Sequence, residues 1–192
     1  MGILVLGLVL LLGVHSTRLV APACRDQCVA RWGLTPWKIA YAVLSLIGFV
    51  LIAQGYGAAR MEPVLLWSPP VWTRHLAALL TLPAFVLIVS AYLPGTRIRA
   101  KLGHPMVAGV KIWAFAHLIC NGTLADLLLF GSFLVWSVVM FATLRRRDRA
   151  TGVQRPAGSA TRDAIAVVIG VLAWAAFAGW LHLMLIGVRP FG

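Results

Sequence analysis

The chain has 192 residues, of which 61% are hydrophobic and only 11% charged, and its mean hydropathy is +0.91. Charged residues make up about a quarter of an average soluble domain, so this composition excludes that class and indicates an integral membrane protein. The net charge of +12 does not indicate nucleic-acid binding, because no such motif accompanies it and the cations cluster at the edges of apolar runs.

Six apolar segments approach the ~20 residues that a helix needs to cross a bilayer. We therefore predict an all-α polytopic membrane protein, a six-transmembrane-helix bundle that forms a single domain over residues 1–192. The first segment is expected to be retained rather than cleaved as a signal peptide, because no Lys or Arg precedes it. The predicted spans are residues 2–18, 39–58, 75–93, 105–121, 123–143 and 164–188.

The basic residues are distributed unevenly among the connections between these spans. Of the 17 Lys and Arg residues, 13 fall in or beside the first, third and fifth connections. Basic connections are usually cytoplasmic, so we predict that both termini lie on the non-cytoplasmic side. The alternation agrees with six crossings, because odd-numbered connections share one face of the membrane only if every span crosses.

The connection between the fourth and fifth spans is a tight turn at Asn121, Gly122 and Thr123. Thr123 and Asp126 have the spacing of a capping box, in which two side chains bind the first amides of a helix. His117 and Asp126 lie about one helical turn on either side of this connection, hence at similar depth. Asp126 is therefore a candidate helix cap and also a candidate carboxylate partner for a metal-bound imidazole.

The five histidines are the main candidates for holding a cofactor, because an imidazole at membrane depth is costly without a partner. His104 and His117 share the fourth span but are ~20 Å apart along its axis, so they cannot bind one metal ion. His117 is the better ligand candidate of the two, and His15 lies toward the cytoplasmic end of the first span. His75 and His182 are interpreted as interfacial residues.

Haem explains this pattern better than zinc does. Zinc usually takes three closely spaced protein ligands, whereas haem needs one or two axial ligands, an apolar slot and cations for its propionates. Arg18 and Lys111 are candidate propionate partners, and a neutral or snorkelling Lys111 is the alternative. Small residues are expected to let helices pack closely at Gly48, Gly109, Gly131 and Gly170.

Several motifs resemble the NnrU family over nearly the whole chain. They are GVHS at residues 13–16, PPVWTRH at 69–75, HPM at 104–106 and NGTLADL at 121–127. The resemblance implies a multi-pass protein of the bacterial inner (cytoplasmic) membrane, associated with denitrification and nitric oxide metabolism. The lipid bilayer and a hydrophobic small-molecule substrate are the partners we expect.

The family is similar to plant 15-cis-zeta-carotene isomerase, a haem b protein with histidine ligation. By motif, the resemblance assigns the axial ligands to His15 and His117, and it matches the His-Pro histidine of that enzyme to His104. A further histidine of the plant enzyme falls near residues 54–56, where this chain has none. The resemblance implies haem b binding and redox-switched, isomerase-like chemistry on a membrane lipid such as a cis-polyene.

Two other functions remain open. Residues 104–109, HPMVAG, are similar to the R-H-P-x-Y-x-G signature of isoprenylcysteine carboxyl methyltransferases, which implies S-adenosylmethionine binding. Here Gly103 replaces the arginine, Val107 replaces the tyrosine, and the acidic C-terminal motif of those enzymes is absent. The other alternative is a non-enzymatic assembly factor for a nitrogen-oxide reductase.

Overall fold

The computed structural model of the protein describes residues 1–191, of which helices account for most, as an all-helical fold. The helices in this part of the chain are α1 (Gly2–Val20), α2 (Pro22–Trp32), α3 (Leu34–Ala59), α4 (Trp72–Tyr92), α5 (Arg97–Leu102), α6 (Pro105–Cys120), α7 (Leu124–Ala150) and α8 (Ala160–Ala176). A π-helical turn, Phe177–Leu181, then leads into α9 (His182–Ile186).

Five helical segments in the described residues are long and apolar enough to cross a membrane: α1, α3, α4, α7 and the stretch Ala160–Ile186. The protein is therefore a multi-pass membrane protein, as its composition predicts. The predicted fourth span corresponds to α6, which is apolar but has only 16 residues, or about 24 Å of helix. The sixth crossing and the orientation of the termini thus stay predictions.

Two helices occupy stretches that the sequence analysis treated as connections. α2 begins at Pro22, a residue well suited to a first helical turn. α5 begins after Thr96, whose hydroxyl accepts the Arg99 amide hydrogen at 3.1 Å, and it ends at Leu102, just before Gly103. Both are short and rich in polar residues, so neither produces an apolar run.

The contacts divide the described residues into two compact units, and the chain passes from one to the other after residues 66, 122 and 132. The first unit is Met1–Leu66 with Thr123–Ser132, and its main packing is between α1 and α3. A Cβ atom added at Gly48 would lie 2.9 Å from the Leu11 nitrogen, and one at Gly55 would lie 2.3 Å from the Leu4 nitrogen. The close approach predicted at Gly48 is confirmed, and Leu4, which lies against Gly55, is fully buried.

The second unit comprises Trp67–Gly122 and the chain from Phe133 onward, with α4 packed against α6 and α8. A Cβ atom at Gly109 would lie 2.9 Å from the Ala84 carbonyl oxygen, and one at Gly170 would lie 2.7 Å from the Val86 Cα atom. Close packing at these two predicted positions is confirmed.

Gly131, in the first unit, gives no such evidence. There an added Cβ would meet the Leu127 Cδ1 atom of its own helix at 3.6 Å, an ordinary van der Waals contact. The prediction of close packing at Gly131 is not confirmed.

Candidate functional site

The imidazole of His15 is oriented by its own helix. Its Nδ1 atom lies 2.8 Å from the carbonyl oxygen of Leu11, one turn earlier in α1. A carbonyl can only accept, so Nδ1 carries the hydrogen and Nε2 carries the lone pair. The ring is half-buried and lies 5.2 Å from the Tyr41 ring of α3. His15 thus has the tautomer that binds a metal through Nε2.

His117, in the second unit, has the same arrangement. Its Nδ1 atom donates to the Trp113 carbonyl oxygen at 2.9 Å, and its ring lies 5.1 Å from the Trp113 ring. Trp113 is itself packed edge-on against Phe133 at 5.6 Å. The amide of Asn121 donates to the His117 carbonyl oxygen at 2.8 Å, which holds the end of α6. The tautomer and the ring orientation of His117 are therefore both defined.

The histidines at the outer ends of the predicted spans have different surroundings. His75 is exposed near the start of α4. His182 donates from Nδ1 to the Val188 carbonyl oxygen at 2.7 Å, but this pair is exposed. A carbonyl partner is thus shared by three histidines, but His15 and His117 donate to a carbonyl one turn earlier in their own helix, whereas His182 donates to a carbonyl six residues later.

Asp126 begins α7 and forms the predicted capping box with Thr123. Its Oδ2 atom accepts the Thr123 amide hydrogen at 2.9 Å, and the Asp126 amide donates to the Thr123 hydroxyl at 3.2 Å. The Thr123 hydroxyl also donates to Oδ2 at 2.6 Å. The predicted cap is confirmed.

The second oxygen of Asp126 has a partner that the sequence analysis missed. The hydroxyl of Tyr56, in α3, donates to Oδ1 at 2.5 Å, and the Tyr56 ring stacks edge-on against Phe130. Asp126 is only 5% exposed, and this buried carboxylate accepts from three donors, the Tyr56 hydroxyl and the hydroxyl and amide of Thr123.

A second polar cluster, the His104 cluster, consists of His104, Asp148 and Arg155 in the second unit. One oxygen of Asp148, Oδ2, accepts from His104 Nε2 at 2.7 Å and from Arg155 Nη2 at 2.5 Å. The Asp148 side chain is 8% exposed and its two partners are 18% and 20% exposed. His104 also precedes the first residue of α6, as predicted.

The backbone beside this cluster leaves room for the guanidinium of Arg155. Gly103 has φ +78°, a conformation that favours glycine, and a Cβ atom there would lie 3.0 Å from the Arg155 Cζ atom. Because Arg155 and His104 bind the same carboxylate, Arg155 connects the α7–α8 segment to the start of α6. From sequence, Arg155 is predicted only to be one of the basic residues that set the membrane topology.

The two predicted propionate partners differ in their surroundings. The Lys111 Nζ atom lies 4.8 Å from the centre of the Phe141 ring, a cation–π contact that accounts for a charge within α6. Arg18 is exposed one turn after His15 and close to it on the surface of α1. Their propionate role stays a prediction.

The donor chemistry of these residues fits haem. Among residues 1–191 no group of three or more His, Cys, Asp or Glu side chains is arranged to hold a metal ion. A porphyrin brings four nitrogen ligands of its own, so one or two imidazoles suffice. His15 and His117 offer such imidazoles in the required tautomer.

The family model of the NnrU protein matches residues 3–190 of the chain. Neither a curated protein nor a solved structure is significantly similar to it. Because the family match covers nearly the entire sequence, the chain belongs to the NnrU family.

Proposed function

We propose that this protein is a haem b-binding membrane protein in which His15 and His117 are the axial ligands. The matched hydrogen bonds from Nδ1 to the carbonyl oxygens of Leu11 and Trp113 carry this proposal. Metal-binding histidines usually donate their other ring hydrogen to a carbonyl or carboxylate, which fixes the tautomer and makes Nε2 a stronger donor to the metal.

Neighbouring residues would complete the site. The rings of Tyr41 and Trp113 restrict rotation of the two imidazoles. Arg18 and Lys111 supply cations for propionates, Lys111 from its place over Phe141.

Bound haem would supply a redox-active iron and, where one imidazole leaves, a Lewis-acid position for a hydrophobic substrate such as a cis-polyene. We place the protein in the bacterial inner membrane with both termini non-cytoplasmic, in denitrification or nitric oxide metabolism. Support for these assignments comes from the family and from the alternation of basic connections.

Absorption spectra of the purified protein test the ligand assignment. Wild-type protein is expected to show a Soret band with about one haem per chain, and His15→Ala and His117→Ala are each expected to lose most of it. His75→Ala and His182→Ala are matched controls, because they remove the two imidazoles that are interpreted as interfacial, and they should keep the band. Full haem content in either of the first two variants overturns the proposal.

The same material separates the alternatives. A methyltransferase would bind S-adenosylmethionine and give a colourless preparation, and this result would replace the haem proposal. An assembly factor would bind haem and release it to an apo nitrogen-oxide reductase. An enzyme would instead isomerise a cis-polyene or consume nitric oxide on its own.

A further inference from the structure

An open apolar groove of about 480 Å³ lies in the second unit, among α4, α5 and α8. α4 contributes residues 82, 83, 86 and 87, and α8 contributes Val167. α5 contributes Ile98, Leu102 and Lys101, and only apolar atoms line the surface. Lys101 therefore takes part through its hydrocarbon stem, as snorkelling lysines do.

The depth of the groove matches one leaflet of a bilayer. Leu87 and Leu82 precede the last residue of α4, Tyr92, by one and a half to three turns, which is about 7 to 15 Å. Val167 lies about 10 Å from the start of α8 on the same scale. Half of a typical hydrocarbon core is about 15 Å thick. The groove thus extends from the membrane edge to about the bilayer midplane.

The membrane-edge end of the groove is cationic. In α5 the exposed residues Arg97, Arg99 and Lys101 alternate with the groove-lining apolar ones. The nearby carboxylate of Asp163 already accepts the Ile98 amide hydrogen at 3.2 Å. In the part of the chain that the structure describes, none of the ion pairs includes a cation of α5.

Two of these cations are partly engaged and one is not. Arg97 Nε donates to the Gly158 carbonyl oxygen at 3.3 Å, and Arg99 Nη1 donates to the Ala91 carbonyl oxygen at 3.4 Å. Lys101 makes none of the hydrogen bonds or ion pairs found among residues 1–191. Its ammonium is the group that a ligand at the rim would meet.

We propose that the groove binds an anionic phospholipid, with an acyl chain between α4 and α8 and the phosphate at Lys101. An acyl chain fits a wholly apolar surface of leaflet depth, and a negatively charged headgroup fits a rim at which three exposed cations of α5 outnumber the nearby carboxylate of Asp163. This site is independent of haem binding.

Lipid retention measured by mass spectrometry tests the proposal. The full-length protein is reconstituted in vesicles of equimolar phosphatidylglycerol and phosphatidylethanolamine, extracted in detergent, and analysed for bound lipid. Wild-type protein is expected to retain phosphatidylglycerol preferentially. Lys101→Ala should reduce this retention about fivefold, the effect expected for one basic residue at a membrane surface.

Two pairs of variants separate a specific site from general attraction. Val167→Trp fills the groove and should abolish retention, whereas Val168→Trp, at a neighbouring exposed position outside the groove, should not. Lys38→Ala removes an exposed lysine of the first unit and is the control for Lys101→Ala. Equal retention of the two lipids by wild-type protein overturns the proposal, as does an equal loss in Lys38→Ala and Lys101→Ala.

Discussion

His104 and His117 stand at the two ends of the same helix, yet their imidazoles are held in opposite ways. The Nε2 atom of His104 hydrogen-bonds to the carboxylate of Asp148, which also binds Arg155. This Nε2 atom therefore takes part in a contact that connects separate segments of the chain. The Nδ1 atom of His117 donates a hydrogen bond to the Trp113 carbonyl of its own helix, so Nε2 is the nitrogen with the lone pair. The partner of a histidine, more than its place in the chain, decides which nitrogen can bind iron.

His15, in the other unit, has the same hydrogen bond as His117, from Nδ1 to a carbonyl one turn earlier in its own helix. Two imidazoles that donate to a carbonyl one turn earlier in their own helix, each beside an aromatic ring, point to a shared chemical role. The His104 cluster points instead to stability of the α7–α8 connection. Three predictions test this difference between the His104 cluster and the two candidate ligands, and they are given in order of decreasing effect on stability.

Asp148→Ala should have the largest effect, because it leaves His104 and Arg155 facing each other without the carboxylate. Removing one partner of a largely buried ionic cluster is strongly destabilising, and we expect the melting temperature in detergent to fall by about 5–10 °C. Asp26→Ala is the control, since that side chain is 68% exposed and paired only with Arg25. Haem content per folded chain should not change, and selective loss of haem in Asp148→Ala would contradict this difference between the cluster and the candidate ligands.

Tyr56→Phe should have an intermediate effect. It removes a hydrogen bond to a buried carboxylate, which stabilises a protein by about 1.5 kcal/mol, or roughly 3–6 °C in a chain of this size. Tyr92→Phe is the matched control, because Tyr92 is 77% exposed. Equal melting temperatures for the two variants would show that the contact between Tyr56 and Asp126 contributes nothing.

His104→Gln should have the smallest effect. The amide of glutamine can still donate to Asp148, so we expect the melting temperature to fall by no more than about 2 °C and the haem content to stay unchanged. The measurement is thermal unfolding together with the Soret absorbance. Loss of the Soret band in this variant would make His104 a ligand and remove the contrast with His117.

The sequence predicts the apolar helices well, because each one produces a long hydrophobic run. Predicted and observed ends differ by up to seven residues, and the largest difference is at the end of α7, where the arginine-rich stretch continues the helix to Ala150. Arginine is a good helix former, so charge marks the membrane edge there without ending the helix. The π-helical turn Phe177–Leu181 lies within one uniform apolar run and has no signature in hydropathy.

The candidate site is predictable only where its contacts are local. The capping box of Thr123 and Asp126 has a fixed spacing and is found from sequence. Tyr56 and Asp126 are 70 residues apart, and His104 and Asp148 are 44 apart, so no spacing rule connects them. The scarcity of carboxylates was the one available signal, because each of the few acids in an apolar chain must find donors.

The most direct test of the account is the ligation state of the iron in His117→Gly. Electron paramagnetic resonance of the oxidised wild-type protein should show a low-spin, bis-imidazole signal. In the haem that His117→Gly still retains, this signal should give way to a high-spin one and return when free imidazole is added. An unchanged low-spin signal in the variant would contradict the central claim that His117 binds the iron.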